Sequence, residues 1–169
     1  ICYPRMDIIT TPSFSYSKEK IYNTEFINKC ILFAPTHRKE GGGHPDYFTF
    51  INFDKFNQFL REYKAILLIK MHYYERAKEK IFPEGEYSHI KLLDNYEIDD
   101  INRILPHVDL LITDYSSVFY DYLVLDRPII FAPFDLDEYQ KTDHELYLDY
   151  TSATPGPICQ NWDEIQIQL

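Results

Sequence analysis

Short apolar runs alternate along this chain with longer segments in which apolar side chains recur at helical spacing. The apolar runs predict five strands, at residues 31–34, 65–69, 90–93, 108–112 and 128–131. Runs this short and this apolar, bounded by Pro, Gly or polar residues, are typical of strands that are buried on both faces of a parallel sheet.

Four segments between the strands predict helices. Residues 52–63 place aromatic side chains on one face behind a candidate cap at Asn52. Residues 73–81 form a polar pattern, 99–105 predict a short helix that ends before Pro106, and 116–125 predict a fourth helix. Strands and helices in this alternation predict an α/β fold, a parallel sheet with helices on both faces.

The length of 169 residues suits one domain. We expect a core at 29–139, with more irregular segments at 1–28 and 140–169 that wrap around the sheet. Because the chain starts with Ile1 in place of Met and ends at Leu169 without any stop signal, we interpret it as a fragment of a longer protein.

Composition narrows the classes of partner. The net charge of −10, from 27 acidic and 17 basic residues, repels nucleic acid, so we expect no nucleic-acid partner. An anionic ligand must then be held by local donors. The high aromatic share of 17% favours an aromatic core. No apolar run approaches the length of a transmembrane helix.

Metal and disulfide chemistry receive little support from the pattern. The three cysteines form no CxxC pair, so we expect reduced cytosolic thiols and neither a disulfide framework nor a zinc site. No ligand spacing argues for another metal, and no cofactor is indicated, although a need for a divalent metal stays open.

Parallel sheets bind ligands beyond the carboxyl ends of their strands. In this chain those ends lead into residues 35–43, 71–74, 93–96, 113–117 and 133–139. The strongest signal is Thr113-Asp-Tyr-Ser-Ser117, which joins a strand directly to a helix. Ser116 or Ser117 can cap that helix, and hydroxyl and backbone N–H groups there can hold phosphate. The alternative is an ordinary helix cap that binds no ligand.

Basic side chains follow two other strands. His72, after Lys70, can donate to a phosphate oxygen or act as a general acid, or it is simply structural. Arg38, near Thr36, can grip phosphate with its forked guanidinium. The glycines at 41–43 match neither a dinucleotide fingerprint nor a P-loop and favour a mobile loop.

Carboxylates also cluster near the strand ends. They contact ribose or alcohol hydroxyl groups, or they only solvate the loops. The group comprises Asp94, Asp99, Asp100, Asp135, Asp137 and Glu138.

Taken together, the segments resemble the CDP-glycerol glycerophosphotransferase family of teichoic acid biosynthesis. The similar pieces occur in the family's order and cover most of the chain. They are YPRMD (3–7), ILFAPTHR (31–38), LIKMH (68–72), DLLITDYSS (109–117), DYLVLDRPII (121–130) and PGP (155–157).

The resemblance implies a Rossmann-like fold, as the second, nucleotide-binding domain of a GT-B architecture. It implies a donor such as CDP-glycerol or CDP-ribitol, a polymer or lipid-linked acceptor reached through a first domain, and release of CMP. His72 would contact or protonate the diphosphate. Thr36, Arg38, Asp114, Ser116 and Ser117 would line the donor site, with Asp114 organising the turn or binding an alcohol hydroxyl. The family works at the inner face of the cell membrane, so a cytoplasmic, peripheral location is expected.

The chain departs from the family's pattern in two places. His72 is followed by Tyr73, where the family usually has His-Pro. The segment YLDY (147–150) lacks the Arg-Gly that commonly precedes it. Either Lys141 or His144 replaces that arginine, or the donor differs from CDP-glycerol, or the activity is reduced. The His-Gly-Thr segment of the family's first domain is absent from this sequence, so we expect this stretch alone to bind nucleotide without catalysing transfer.

Two alternatives remain at this point. One is a GT-B glycosyltransferase or epimerase that uses a UDP-sugar on the same kind of sheet. The other is a degenerate, non-catalytic nucleotide-binding or interaction module, which the missing Arg-Gly would favour.

Overall fold

Five parallel strands form one sheet in the computed structural model of the chain, which describes residues 21–22, 25–36, 47–48, 51–71, 87–93, 100–142 and 149–169. The strands are β1 (Lys29–Phe33), β2 (Ala65–Ile69), β3 (Ile90–Leu92), β4 (Leu110–Thr113) and β5 (Ile129–Phe131). All five lie where the apolar runs predicted them, although β1 begins two residues earlier and β4 two residues later than expected.

The strand order is β3-β2-β1-β4-β5. Ile31 in the central strand is paired with Leu67 of β2 on one side and with Leu110 of β4 on the other. The chain therefore leaves β1 towards β2 and β3 and later returns to β1's other side. That reversal opens a crevice between the carboxyl ends of β1 and β4, the place where open α/β sheets bind ligands.

Alternate strand residues enter two separate hydrophobic cores, one on each face of the sheet. On the first face Leu32, Leu68 and Phe131 pack with helix α2 (Val118–Tyr122) and with Tyr150, which begins helix α4 (Tyr150–Ala153). On the second face Phe33, Leu67 and Ile112 pack with helix α1 (Phe53–Glu62) and helix α5 (Trp162–Gln168). Helix α3 (Leu136–Thr142) follows β5. The expected α/β fold with helices on both faces is confirmed.

A capping side chain explains where α1 starts, and Pro106 accounts for the one place where 3₁₀ turns stand instead of a predicted helix. Asn52 caps α1 as predicted, because its side-chain oxygen accepts the N–H of Lys55 at 3.0 Å. The prediction of a single short helix at 99–105 that ends before Pro106 is wrong. Two 3₁₀ turns, Ile101–Arg103 and Leu105–His107, stand there instead, and Pro106 lies inside the second, where its fixed φ suits a first turn.

The predicted helix 116–125 is shorter than expected. It comprises α2 and a following 3₁₀ turn, Leu123–Leu125, which ends at Asp126 with a φ of 50°. The polar helix predicted at 73–81 lies outside the described residues.

The end of the chain runs along the outer edge of β5. The N–H of Phe131 donates to Pro157 at 2.8 Å, and the N–H of Cys159 donates back to Phe131 at 2.7 Å. Helix α5 then returns Trp162 to the second core, with its ring 5.2 Å from Phe33. The pattern of apolar residues did not predict this helix, because only Trp162 and Ile165 of it are buried.

Cys30 and Cys159 are buried, and the structure joins neither of them in a disulfide. Across the described part of the chain, no helix combines the length and the apolar character needed to cross a membrane.

Candidate functional site

The crevice between β1 and β4 is closed at its base by a fully buried carboxylate. Asp114 follows β4 and has no exposed surface. One of its oxygens accepts the backbone N–H of Thr36 at 2.7 Å and the Thr36 hydroxyl at 2.5 Å. The same oxygen accepts the N–H of Tyr115 at 2.6 Å. Asp114 thus ties the loop after β1 to the turn after β4.

A tyrosine that the sequence pattern did not single out supplies a fourth donor. The Tyr47 hydroxyl donates to the second Asp114 oxygen at 2.5 Å. The Tyr47 ring packs edge-on against Phe33, and the Trp162 indole N–H donates to the Tyr47 carbonyl. Four hydrogen bonds to one buried carboxylate are what a charged group requires away from water.

Tyr150 holds the same turn from the other face of the sheet. Its buried hydroxyl donates to the backbone carbonyl of Asp114 at 2.9 Å. Burial raises the pKa of this phenol, and the charges of Asp114 and Asp135 raise the pKa further. Tyr150 therefore stays protonated and keeps its role as a donor at ordinary pH.

The two serines of the turn follow Asp114 by two and three residues. Ser117 is the exposed N-cap residue of α2, but its side chain makes no capping hydrogen bond. The half-buried Ser116 accepts the Val118 N–H at 3.4 Å, which is long for a hydrogen bond. The expectation that a serine caps this helix is therefore wrong for Ser117 and weakly met by Ser116, since Asp114 organises the turn instead.

The loop after β5 and helix α3, which follows it, both contact this turn through Tyr115. Tyr115 stacks on Tyr139 with ring centroids 4.0 Å apart, and its hydroxyl donates to Asp135 at 3.1 Å. Of the other residues predicted here, Glu138 and Lys141 lie exposed on α3. The structure thus brings Asp135 to the Asp114 turn as a partner of Tyr115.

Lys70 directly follows β2, beside the central strand. It is half-buried, and its backbone N–H donates to the carbonyl of Phe33 at 2.9 Å. Three other predicted site residues, His72, Arg38 and Asp94, lie outside the described residues, as do Asp99 and His144. Asp100 accepts from both the backbone and the side-chain amide of Asn102, each at 3.0 Å, so it caps a turn.

Two residues that the motifs contain prove to hold the sheet together. The Thr113 hydroxyl donates to the carbonyl of Ala34 at 2.7 Å, which links β4 to β1. Arg127 donates to the carbonyls of Pro106, at 2.8 Å, and Val108, at 2.5 Å, at the amino end of β4. The sequence signal for Thr113 was a polar residue closing an apolar strand, whereas nothing local indicated the partners of Arg127.

Side chains of the kinds that bind metal ions do not cluster within the residues that the structure describes. Among those residues, no group of three or more His, Cys, Asp or Glu side chains could hold an ion.

The statistical model of one protein family matches residues 1–169, the whole of this sequence. The family is the CDP-Glycerol:Poly(glycerophosphate) glycerophosphotransferases. The chain belongs to this family. Its members are transferases of teichoic acid biosynthesis, so the resemblance carried by the six sequence segments is confirmed.

Curated relatives in the glycerophosphotransferase family handle two different alcohol phosphates, by their names. The chain is 34% identical over 171 residues to the teichoic acid ribitol-phosphate polymerase TarK of Staphylococcus aureus (strain NCTC 8325 / PS 47), covering 98% of this chain and 33% of that protein. It is 33% identical over 174 residues to a teichoic acid glycerol-phosphate transferase of the same strain, covering 94% and 41%. The chain thus spans 33% to 41% of the length of these two relatives.

Solved structures of a wall teichoic acid polymerase share the fold. The wall teichoic acid polymerase TagF superimposes with a TM-score of 0.65 at 28% identity, covering 89% of this chain and 35% of that chain. A single-residue variant of TagF soaked with CDPG superimposes with a TM-score of 0.64 at 27% identity, covering 89% and 34%.

Proposed function

We propose that this chain is the donor-binding, second domain of a GT-B glycerophosphotransferase. The donor is CDP-glycerol or CDP-ribitol, and the acceptor is a teichoic acid or a related cell-surface polymer. The observation that carries the proposal is the crevice between β1 and β4, where Asp114 joins Thr36 to the serine turn at 113–117. This is the position at which an open parallel sheet receives a ligand.

The proposed reaction is a phosphoryl transfer. An acceptor hydroxyl oxygen attacks the β-phosphorus of the CDP-alcohol, a new phosphodiester bond forms, and the bond between the β-phosphorus and the bridging oxygen breaks. CMP leaves with the electron pair of that bond, and the acceptor hydroxyl loses its proton. His72, which follows β2 in the sequence, is proposed to contact the diphosphate and to protonate the departing phosphate.

Phosphate is proposed to lie at Ser116 and Ser117, with Arg38 and Lys70 supplying positive charge. Asp114 is assigned to the turn itself and not to the ligand, because its oxygens already accept four protein donors. A negative carboxylate in direct contact with phosphate would also be repelled. The net charge of −10 repels an anion, so the neutral hydroxyls and the nearby cations are needed to bind the phosphate.

Contacts to the nucleoside or alcohol are proposed for Asp94, Asp135, Glu138 and Lys141. Lys141 lies in the last turn of α3. Of the two candidates to replace the missing arginine before YLDY, it is the one that lies within the described residues. The full-length protein is proposed to act in the cytoplasm, at the inner face of the cell membrane, with its polymer or lipid-linked acceptor held through a first domain.

The test is a binding titration of the full-length protein with CMP, CDP-glycerol, CDP-ribitol, UDP and UDP-sugars. We expect the cytidine compounds to bind and the uridine compounds to bind at least tenfold more weakly, about 1.4 kcal/mol. Tight uridine binding without a cytidine preference would point to a sugar transferase. Failure to bind any of these nucleotides, with the fold intact, would point to a non-catalytic module.

A further inference from the structure

Asp114 lies between two tyrosine hydroxyls that reach it from opposite faces of the sheet. Tyr47 belongs to the core shared with α1 and α5 and donates to the carboxylate at 2.5 Å. Tyr150 belongs to the core on the other face and donates to the backbone carbonyl at 2.9 Å. Neither tyrosine lies in the five strand-end loops that the sequence marks as the ligand edge.

Both rings are fixed by their own packing. Tyr47 is 4% exposed, and its ring lies 5.3 Å from Phe33 and 5.9 Å from Phe134. Tyr150 is 7% exposed, with Phe131 at 6.3 Å. Because a buried aromatic ring has few rotamers left, each hydroxyl is a rigid point of attachment for Asp114.

The attachment matters because the serine turn continues directly from Asp114 along the chain. Ser116 and Ser117 lie two and three residues later, and Thr36 is bonded to the same carboxylate. Any displacement of Asp114 therefore moves the serine turn relative to the loop after β1. Groups that hold a reacting phosphate must be placed accurately, because a misplacement of about 1 Å costs much of the benefit of holding it.

We infer that Tyr47 and Tyr150 are positioning residues of the donor site, which hold Asp114 from both sides and thereby set the distance between the serine turn and the Thr36 loop. The inference rests on the proposed function, since it requires a donor phosphate at that turn. Neither tyrosine touches the substrate.

The experiment uses the full-length protein and compares three substitutions that each remove one hydroxyl and keep the ring: Tyr150→Phe, Tyr47→Phe and Tyr122→Phe. Tyr122 is the matched control. It is buried in the same core as Tyr150 and donates to a backbone carbonyl, that of Val108, at the same 2.9 Å. Its bond lies at the amino end of β4, away from the crevice, and Val108 also accepts from Arg127.

We expect Tyr150→Phe to raise the KM for the CDP-alcohol about three- to tenfold, the loss typical of one neutral hydrogen bond. Tyr47→Phe should raise this KM by at least as much, because the Tyr47 hydroxyl donates to a charged carboxylate. The KM for the acceptor should stay unchanged. Tyr122→Phe should lower the urea midpoint of unfolding and leave the donor KM unchanged.

An unchanged donor KM in Tyr150→Phe and Tyr47→Phe, with only the urea midpoint lowered, would overturn the inference. An equal rise of the donor KM in Tyr122→Phe would overturn it too, because the effect would then follow from lost stability. Should Tyr150→Phe not fold, Tyr47→Phe decides the question from the other face. A wild-type protein that neither binds nor turns over CDP-glycerol or CDP-ribitol contradicts the proposed function itself, and the inference falls with it.

Discussion

Thr36 and Asp114 are 78 residues apart in the chain and share two hydrogen bonds across the crevice. The backbone N–H and the hydroxyl of Thr36 both donate to one oxygen of the buried carboxylate. The pair links the two strands between which the sheet reverses its order, so the strength of this link sets how firmly the candidate donor site is closed at its base.

Replacing Thr36 with Val keeps the shape and the backbone N–H but removes the hydroxyl. A buried charge then loses one donor, and we expect a loss of about 1.5–3 kcal/mol in the free energy of unfolding. Urea denaturation of the full-length protein measures this. Thr151→Val is the control, because Thr151 is exposed and its substitution should change the free energy by less than about 0.5 kcal/mol. Equal stability of the two variants would show that the Thr36 hydroxyl does not support Asp114.

Gly156 packs its backbone against β5 with no room for a side chain. A Cβ there would lie 2.2 Å from the carbonyl oxygen of Ile129. Gly156→Ala should therefore push the 157–159 segment away from β5 and cost about 1–3 kcal/mol of unfolding free energy. Thermal unfolding checks the prediction, and Ala153→Gly in the short helix α4 shows the cost of an ordinary backbone change. A fully stable Gly156→Ala variant would mean that residues 157–159 can move away from β5 at little cost in free energy.

Arg127 supports the amino end of β4, at the opposite end of the strand from the candidate site. Its guanidinium donates to the carbonyls of Pro106 and Val108. Both bonds come from one guanidinium nitrogen, Nη1. The ammonium of the shorter and more flexible lysine side chain is held less firmly at that place, so Arg127→Lys should lower stability by about 1 kcal/mol. The donor KM should not change. A raised donor KM at unchanged stability would instead assign Arg127 to the ligand.

Alkaline pH should destabilise the fold through two buried phenols. Burial raises the pKa of Tyr122 and Tyr150 above the ordinary value of 10.0, with nearby carboxylates as a further cause for both. Above about pH 10 the unfolded chain loses these protons while the folded chain keeps them, so the free energy of unfolding falls as pH rises. Urea midpoints measured on both sides of that pH should fall less steeply in Tyr122→Phe than in the wild type. Identical slopes would show that the Tyr122 phenol titrates normally.

His72 and Ser117 have different proposed roles and should give different kinetic effects. His72→Ala should lower kcat by about 100-fold or more if this side chain transfers a proton in the reaction. Ser117→Ala should mainly raise the donor KM, because its exposed hydroxyl is proposed only to hold phosphate. Steady-state kinetics of the full-length protein separate the two cases. An unchanged kcat in His72→Ala would return this histidine to a structural role.

The sequence alone determined the strands, the α/β class and the family. Four strands of this sheet, β1, β2, β4 and β5, are mostly buried on both faces, so each had to be a short apolar run, and such a run is visible without any structure. The edge strand β3 is the exception, because Leu92 is exposed there. The segment 113–117 could also be recognised as a strand-end turn, because its polar residues directly follow the apolar β4.

Tertiary structure decided what the residues of that turn do. From its sequence neighbours, Asp114 could be a residue that binds ligand or one that shapes the turn. In the structure its four hydrogen-bond donors come from Thr36, Tyr47 and Tyr115, and two of these residues lie more than 60 positions away in the chain. Tyr150, which joins the turn from the other face, is 36 positions away. The local sequence pattern indicates which side chains prefer burial. The partner of a buried polar group depends instead on which strands become neighbours, and that order is set only when the sheet folds.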